Sequence, residues 1–244
     1  ELFVALGEAS MRALDIPMAM RCYRQLGDAG MVLSLQKLEG LEDAHVLSGH
    51  LALVFDDHAS AQDHFLKSTR PLAALEMRRD LLHWEQALKL AKTLAVEQVP
   101  TISREFAKQL EFREQYEQAL KMYHAGLGDA PQGTGMPWKD DPPHERLCRV
   151  GIAKMMLRLG DVTRGVQMAF EGQDRDCCRD CAAILEAQKN LGDAARLYEM
   201  GEQLDKAAAI YIKIKNWGAV SPLMAKISSP KLHSEYAKAK EAEG

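Results

Sequence analysis

Three cysteines crowd into Cys177-Cys178-Arg179-Asp180-Cys181, and the Cys-x-x-Cys spacing within that run suits zinc or dithiol redox work. A zinc site needs four ligands, however, and Cys22 and Cys148 stand alone, with no second Cys-x-x-Cys and no paired histidine. The same run reads as a helix, CCRDCAAILEAQKN, which sets Cys177, Cys181 and Ile184 on one face by i, i+4, i+7 spacing. That face predicts buried structural thiols. His45, His50, His58 and His64 also lie close together, but they form no His-Glu-x-x-His or similar pair, so solvated or hydrogen-bonded histidines are expected. Glu76-Met77-Arg78-Arg79-Asp80 reads as a solvated face with local ion pairs. There is no glycine-rich phosphate loop, no nucleophile elbow and no paired-carboxylate constellation. Nothing in these residues points to an enzyme, and no cofactor or metal is expected.

Composition narrows the partners. With 47% hydrophobic residues, 27% charged residues and a net charge of −4, the 244-residue chain is neither disordered nor basic enough to argue for nucleic acid. No apolar run approaches the roughly 20 residues that span a bilayer. The opening ELFVALGEAS lacks a starting Met and the basic-then-apolar order of a secretion signal, and reads as a fragment of something longer. Five cysteines, three of them adjacent or nearly so, do not resemble a secreted disulfide framework and favour a reducing, cytosolic compartment.

The elements that would position these residues are helices. Across Leu191 to Val220 the pattern Ala-Ala-x-(Leu/Ile)-Tyr occurs twice, with Ala194, Ala195, Leu197 and Tyr198 matching Ala207, Ala208, Ile210 and Tyr211. Small residues followed three and four places on by large apolar ones share a helical face, so neighbouring helices approach at the alanines and lock at the large side chains. Looser copies occur at Ala19-Met20 with Tyr23, Ala61 with Phe65, Ala119-Leu120 with Tyr123, and Gly165-Val166 with Ala169. Leu-Gly-Asp recurs at residues 26–28, 127–129, 159–161 and 191–193, with relatives at Leu6-Gly7-Glu8 and Met200-Gly201-Glu202. Each is expected to end one helix on a left-handed glycine and to cap the next with the acid. Asp56-Asp57-His58 reads as a turn, Trp84 and Trp217 as packing residues at helix starts, and Pro17, Pro71, Pro100 and Pro230 as first-turn prolines. No stretch alternates as a strand would. The expectation is an all-α fold of about sixteen short helices, an α-solenoid of antiparallel, tetratricopeptide-like helix pairs.

One segment breaks the rhythm. Gly126 to Pro143, GLGDAPQGTGMPWKDDPP, excludes a continuous helix and is expected to form a Gly/Pro-rich loop between helical parts spanning residues 1–125 and 144–244. It reads either as an inert insertion or as a partner-binding loop with Met136 and Trp138 as apolar anchors.

Several strings resemble a known family. Gly49-His50-Leu51-Ala52, the run Pro71-Leu72-Ala73-Ala74-Leu75-Glu76-Met77-Arg78-Arg79-Asp80-Leu81 through His83-Trp84, Arg179-Asp180-Cys181, Lys215-Asn216-Trp217 and Ser228-Ser229-Pro230-Lys231 are similar to the C-terminal helical region of the WD-repeat subunit of intraflagellar transport complex A, the WD repeat domain nineteen family. The resemblance runs from about residue 17 onward, and the Gly126 to Pro143 loop departs from it. It implies a non-enzymatic scaffold within cytoplasm and cilium or flagellum, working in retrograde transport and in ciliary entry of membrane proteins. The implied partners are the other large complex A subunits and ciliary cargo adaptors. The residues alone leave two alternatives open: a peptide-binding or vesicle-coat solenoid outside cilia, and a metal or redox protein built on Cys177, Cys178 and Cys181.

Overall fold

The computed structural model describes residues 1–128 and 142–242. Among these residues there is no strand, and sixteen α-helices follow one another: α1 Leu2–Arg12, α2 Ile16–Leu26, α3 Ala29–Gln36, α4 Ala44–Val54, α5 His58–Lys67, α6 Leu72–Asp80, α7 Trp84–Leu94, α8 Val99–Phe112, α9 Tyr116–Leu127, α10 Pro143–Arg158, α11 Val162–Gly172, α12 Arg175–Ala187, α13 Leu191–Met200, α14 Leu204–Lys213, α15 Trp217–Met224 and α16 Pro230–Glu241. A single 3₁₀ turn, Val96–Gln98, precedes α8. Consecutive helices pack on one another, as in α1 with α2, α4 with α5, α9 with α10 and α12 with α13. The fold is the all-α, tetratricopeptide-like solenoid that the helical repeat predicts. The chain forms two compact units, Glu1–Val99 and Pro100–Gly244.

The small-then-large pattern builds the seams. Ala19, Ala61, Ala74, Ala87 and Ala91 in the first unit are fully buried, as are Ala119, Ala169, Ala194, Ala195, Ala207 and Ala208 in the second. Phe65 and Tyr198 are buried at 1% and 2% exposure, which makes them the large partners those alanines admit. Burying such a side chain stabilises by about 1.5–3 kcal/mol, against about 0–1 kcal/mol for an exposed ion pair, so the seams and not the surface charges hold the pairs together.

The link between helices is one recurring turn. In the first, the Leu14 amide donates to the Met11 carbonyl and the Asp15 amide to the Ser10 carbonyl, closing the last turn of α1 in a Schellman arrangement. The same two bonds recur around Gly27, Asp56, Leu82, Glu114, Gly160, Lys189, Glu202 and Lys215, each at positive φ. Of these, only Gly27 and Gly160 are glycine. Leu26-Gly27-Asp28 and Leu159-Gly160-Asp161 therefore behave as expected, with Asp28 and Asp161 capping α3 and α11.

The other Leu-Gly-Asp strings differ from expectation. Leu191-Gly192-Asp193 lies in the first turn of α13, because Asn190 already occupies the cap. Leu6-Gly7-Glu8 is inside α1, where a Cβ on Gly7 would stand 3.0 Å from the Tyr23 ring. In Met200-Gly201-Glu202 the left-handed residue is Glu202, at φ 58°, one place later than the glycine. In the fourth string Leu127 closes α9 and Gly128 follows it at φ 64°, while position 129 lies outside the described residues.

Candidate functional site

The richest polar geometry lies along one edge of the second unit, at the start of α10 and in the links α11–α12, α13–α14 and α15–α16. Asp174 caps α12, accepting from the amides of Asp176 at 3.0 Å and Cys177 at 3.1 Å, and it also takes a hydrogen bond from Arg146 Nε. Burial alone would raise its carboxyl, but Arg146 and the two amides outweigh that and hold it below the ordinary range. Arg179 Nε donates to the Gly201 carbonyl at 2.6 Å, and Arg175 pairs with Glu202 at 2.6 Å, tying the α12 start to the next link. An open recess of about 440 Å³ lies over Arg146, Gln173, Asp174, Arg175 and Arg179. A second, of about 460 Å³, lies over Gln203, Lys206, Lys226 and Ser228. Cations and carboxylates alternate along this edge, which suits polar contact with another protein better than capture of a single charged group.

Deeper in the same unit, three tyrosines reach glutamates twelve residues earlier. Tyr123 donates to Glu111 Oε2 at 2.7 Å, Tyr198 to Glu186 Oε2 at 2.8 Å and Tyr211 to Glu199 Oε2 at 3.3 Å. Lys154 Nζ joins Glu111 at 2.7 Å and approaches Asp180 at 3.8 Å, linking α8, α10 and α12. Burial pulls the Lys154 ammonium down, and the hydrogen bond and charge of Glu111 more than reverse this, leaving it raised. Burial, with Glu186 beside it, pushes the Tyr198 phenol up to about 12. The Lys154 ammonium and the tyrosine phenols, raised in this way, keep their protons through the neutral range and act as donors in these ties.

The residues singled out for chemistry are placed as follows. Cys177, Cys178 and Cys181 are buried in the α12 core, with Cys177 Sγ 3.9 Å from Cys181 Sγ and Cys178 facing the Ala169 carbonyl at 3.6 Å. Burial, followed by the neighbouring Cys181, pushes the Cys178 thiol up to about 11. Cys178 is therefore protonated at neutral pH and poor as a nucleophile or ligand. Among the described residues no group of three His, Cys, Asp or Glu side chains could hold a metal ion. His45 meets His64 through their Nδ1 atoms at 3.4 Å, His50 packs edge-on against Phe65, and His58 packs edge-on against His83.

The mixed-charge run on α6 corrects an expectation. Arg78 is only 9% exposed, donating from Nε to Gln62 Oε1 at 2.8 Å and from the guanidinium to the His58 carbonyl and to His83 Nδ1, each at 3.1 Å. Charge type alone made that face look solvated, whereas the seam position of Met77 and Arg78 turns both inward. Met136 and Trp138 lie outside the described residues; the helices that flank their segment, α9 and α10, pack on each other. The tyrosine–glutamate ties went unread, although their signal, Glu-x11-Tyr, is present three times.

Helices paired in chain order, an alanine seam and a repeated Schellman turn define a tetratricopeptide-like α-solenoid. A family model described as "IFT80/172/WDR35/WDR19 TPR domain" matches residues 2–126, about half of the chain. The chain is 47% identical over 239 residues to human WD repeat-containing protein 19, which covers 98% of this chain and 17% of that protein. The mouse protein of the same name is 46% identical over the same length, and WD repeat-containing protein dyf-2 of Caenorhabditis elegans is 38% identical over 235 residues, 96% of this chain. The chain thus belongs to the IFT80/172/WDR35/WDR19 TPR domain family, as the resemblance in its sequence indicates. It spans 17% of the length of these curated relatives. No helix among the described residues is long and apolar enough to cross a membrane.

Proposed function

We propose that this chain is a non-enzymatic scaffold segment of intraflagellar transport complex A, working in cytoplasm and cilium. In this reading its helix pairs hold other large subunits of the complex in register for retrograde transport and for entry of membrane proteins into the cilium. The observation that carries the reading is its extent. Likeness to WD repeat-containing protein 19 runs over 98% of the chain, through seams, turns and the polar edge of the second unit alike. A stack of helix pairs offers much surface for its length and serves assembly well. The partner-facing surface we favour is the α11–α12 and α13–α14 edge, with Met136 and Trp138, in the sequence before α10, as further apolar anchors; ciliary cargo adaptors are a further class of partner.

Affinity capture from ciliated cells tests this, with the chain and a variant lacking Gly126 to Pro143 as paired baits. Recovery of complex A subunits by both places assembly on the helices. Recovery by the intact chain alone moves it to Met136 and Trp138. Recovery by neither overturns the scaffold reading and advances a peptide-binding or coat solenoid outside cilia.

A further inference from the structure

We propose that Ser229, the half-buried N-cap residue of α16, with exposed Pro230 and Lys231 following it in the first turn, is a phosphorylation site for a proline-directed serine/threonine kinase. Three features of the link converge on this. Its backbone is extended at Ser229, with φ −74° and ψ 110°, the form in which a substrate strand lies in a kinase cleft. Pro230 follows, and having no amide hydrogen it leaves no donor unsatisfied in an apolar pocket at the next position. Lys231 comes next, with 85% of its side chain exposed.

The hydroxyl is also unengaged in the fold. Asp15, Asp28, Asp43, Asp57, Asp161 and Asp174 each cap a helix through the side chain, whereas Ser229 occupies that position before α16 with no side-chain cap bond. Modification there breaks no cap hydrogen bond. Helix α16 itself is fastened chiefly by Leu232 and by Tyr236, whose ring lies 5.8 Å from that of Trp217. Few buried contacts mark it as a segment that opens readily to an enzyme.

In the transfer, Ser229 Oγ attacks the γ-phosphorus of ATP. The Oγ–P bond forms as the bond to the β-phosphate oxygen breaks, ADP leaves, and the hydroxyl proton passes to a carboxylate base of the kinase. The product carries a charge near −2 at neutral pH. It sits at the N-cap of α16, where the positive end of the helix favours negative charge. Lys231 now has only the loose Glu235 pair, at 3.9 Å, to give up. Phosphorylation therefore fastens α16 and adds negative charge next in sequence to Ser228, which lines the recess over Lys206 and Lys226.

The test is incubation of the intact chain with a proline-directed kinase and Mg-ATP, followed by mass-spectrometric mapping and by hydrogen exchange across α16. Wild type, Ser229→Ala, Ser228→Ala and Pro230→Ala are compared, with circular dichroism confirming equal helicity. The expected result is phosphate on Ser229 in wild type and Ser228→Ala, and none at this link in Ser229→Ala or Pro230→Ala. Exchange at Lys231, Leu232 and His233 slows roughly two- to fivefold on modification, as a charge at a helix start implies. Phosphate on Ser228, persistence in Pro230→Ala, or no incorporation at residues 228–229 overturns the assignment. Incorporation with unchanged exchange overturns the fastening of α16. Capture of complex A subunits does not enter any of these readouts, so this inference and the scaffold reading fail separately.

Discussion

In the first unit the ring that fills the α4–α5 pair is Phe65, which has no polar atom, and it lies against Gly49. In the second unit the ring that fills the α9–α10 pair is Tyr123, which lies against Gly151 and whose hydroxyl also reaches Glu111. The steric solution is the same: a large ring on one helix, a residue without a side chain on its neighbour. The polar solution differs. The second unit ties rings to glutamates at three places, while the first leaves polar bracing to its links, where Asp43 Oδ2 accepts from the Thr69 amide at 2.8 Å and hydroxyl at 2.7 Å, and to buried Arg78. These Thr69 bonds, with further help from the cap amides, hold the Asp43 carboxyl well below its ordinary range. Close packing thus sets the pairing of helices in both units, and each unit adds hydrogen bonds wherever its own sequence supplies them.

The largest effects should come from filling the shared steric site. A Cβ on Gly49 would stand 2.6 Å from Phe65 Cε1, and one on Gly151 2.6 Å from Tyr123 Cε2. Gly49→Ala and Gly151→Ala are each expected to destabilise their own unit by about 1–3 kcal/mol, the usual cost of overpacking. Gly151→Ala should be the worse, because Tyr123 cannot swing aside without losing Glu111. Denaturant unfolding with segment-resolved hydrogen exchange reads both. Equal costs would mean that the hydroxyl does not pin the ring, and a neutral Gly151→Ala would break the steric half of the comparison.

Removing the hydroxyls probes the polar half. Tyr198→Phe is expected to cost about 1 kcal/mol, the net worth of an ordinary hydrogen bond, since exposed Glu186 is free to rehydrate. A double-mutant cycle with Glu186→Ala should show that the two losses are coupled and not additive. In the first unit the matching ring is already Phe65, so no equivalent loss exists there. Zero coupling would mean that the hydroxyl adds nothing to the buried Tyr198 ring and leave packing as the sole brace.

The seams were legible because burial of small residues at helical spacing leaves a period in the sequence, and Ala194 and Ala207 show it. The cysteine run was legible for the same reason, since Cys177 and Cys181 share the face that Ile184 marks as apolar. Arg78 was not, because a charged side chain satisfied by a glutamine, a carbonyl and a histidine from other segments carries no local sign of those partners. The turns were half legible. Leu-Gly-Asp flagged the two with glycine, but Leu14, Leu82 and Lys189 hold left-handed backbone within the hydrogen-bonded Schellman turn, against their own preference. The tyrosine–glutamate spacing of twelve steps across the turn from one helix to the next, so periodicity within a single helix does not select it.

Those non-glycine turns supply the smallest test, and one that gains stability. Lys189 sits at φ 64°, where a side chain costs about 1–2 kcal/mol relative to the right-handed region. Glycine removes that cost but loses more freedom on folding, by roughly 0.5–1 kcal/mol. The difference favours Lys189→Gly by about 0.5–1 kcal/mol. Leu82→Gly in the first unit should gain less, because Leu82, 54% exposed, still covers some apolar surface with its other half. Thermal unfolding of the two variants, each read by exchange in its own unit, gives the comparison directly. Gains in both would establish the Schellman turn as a module that either unit accepts in its relaxed form. A loss at Leu82 with a gain at Lys189 would show that the first unit uses this link for packing, and that the units differ in their turns as well as in their ties.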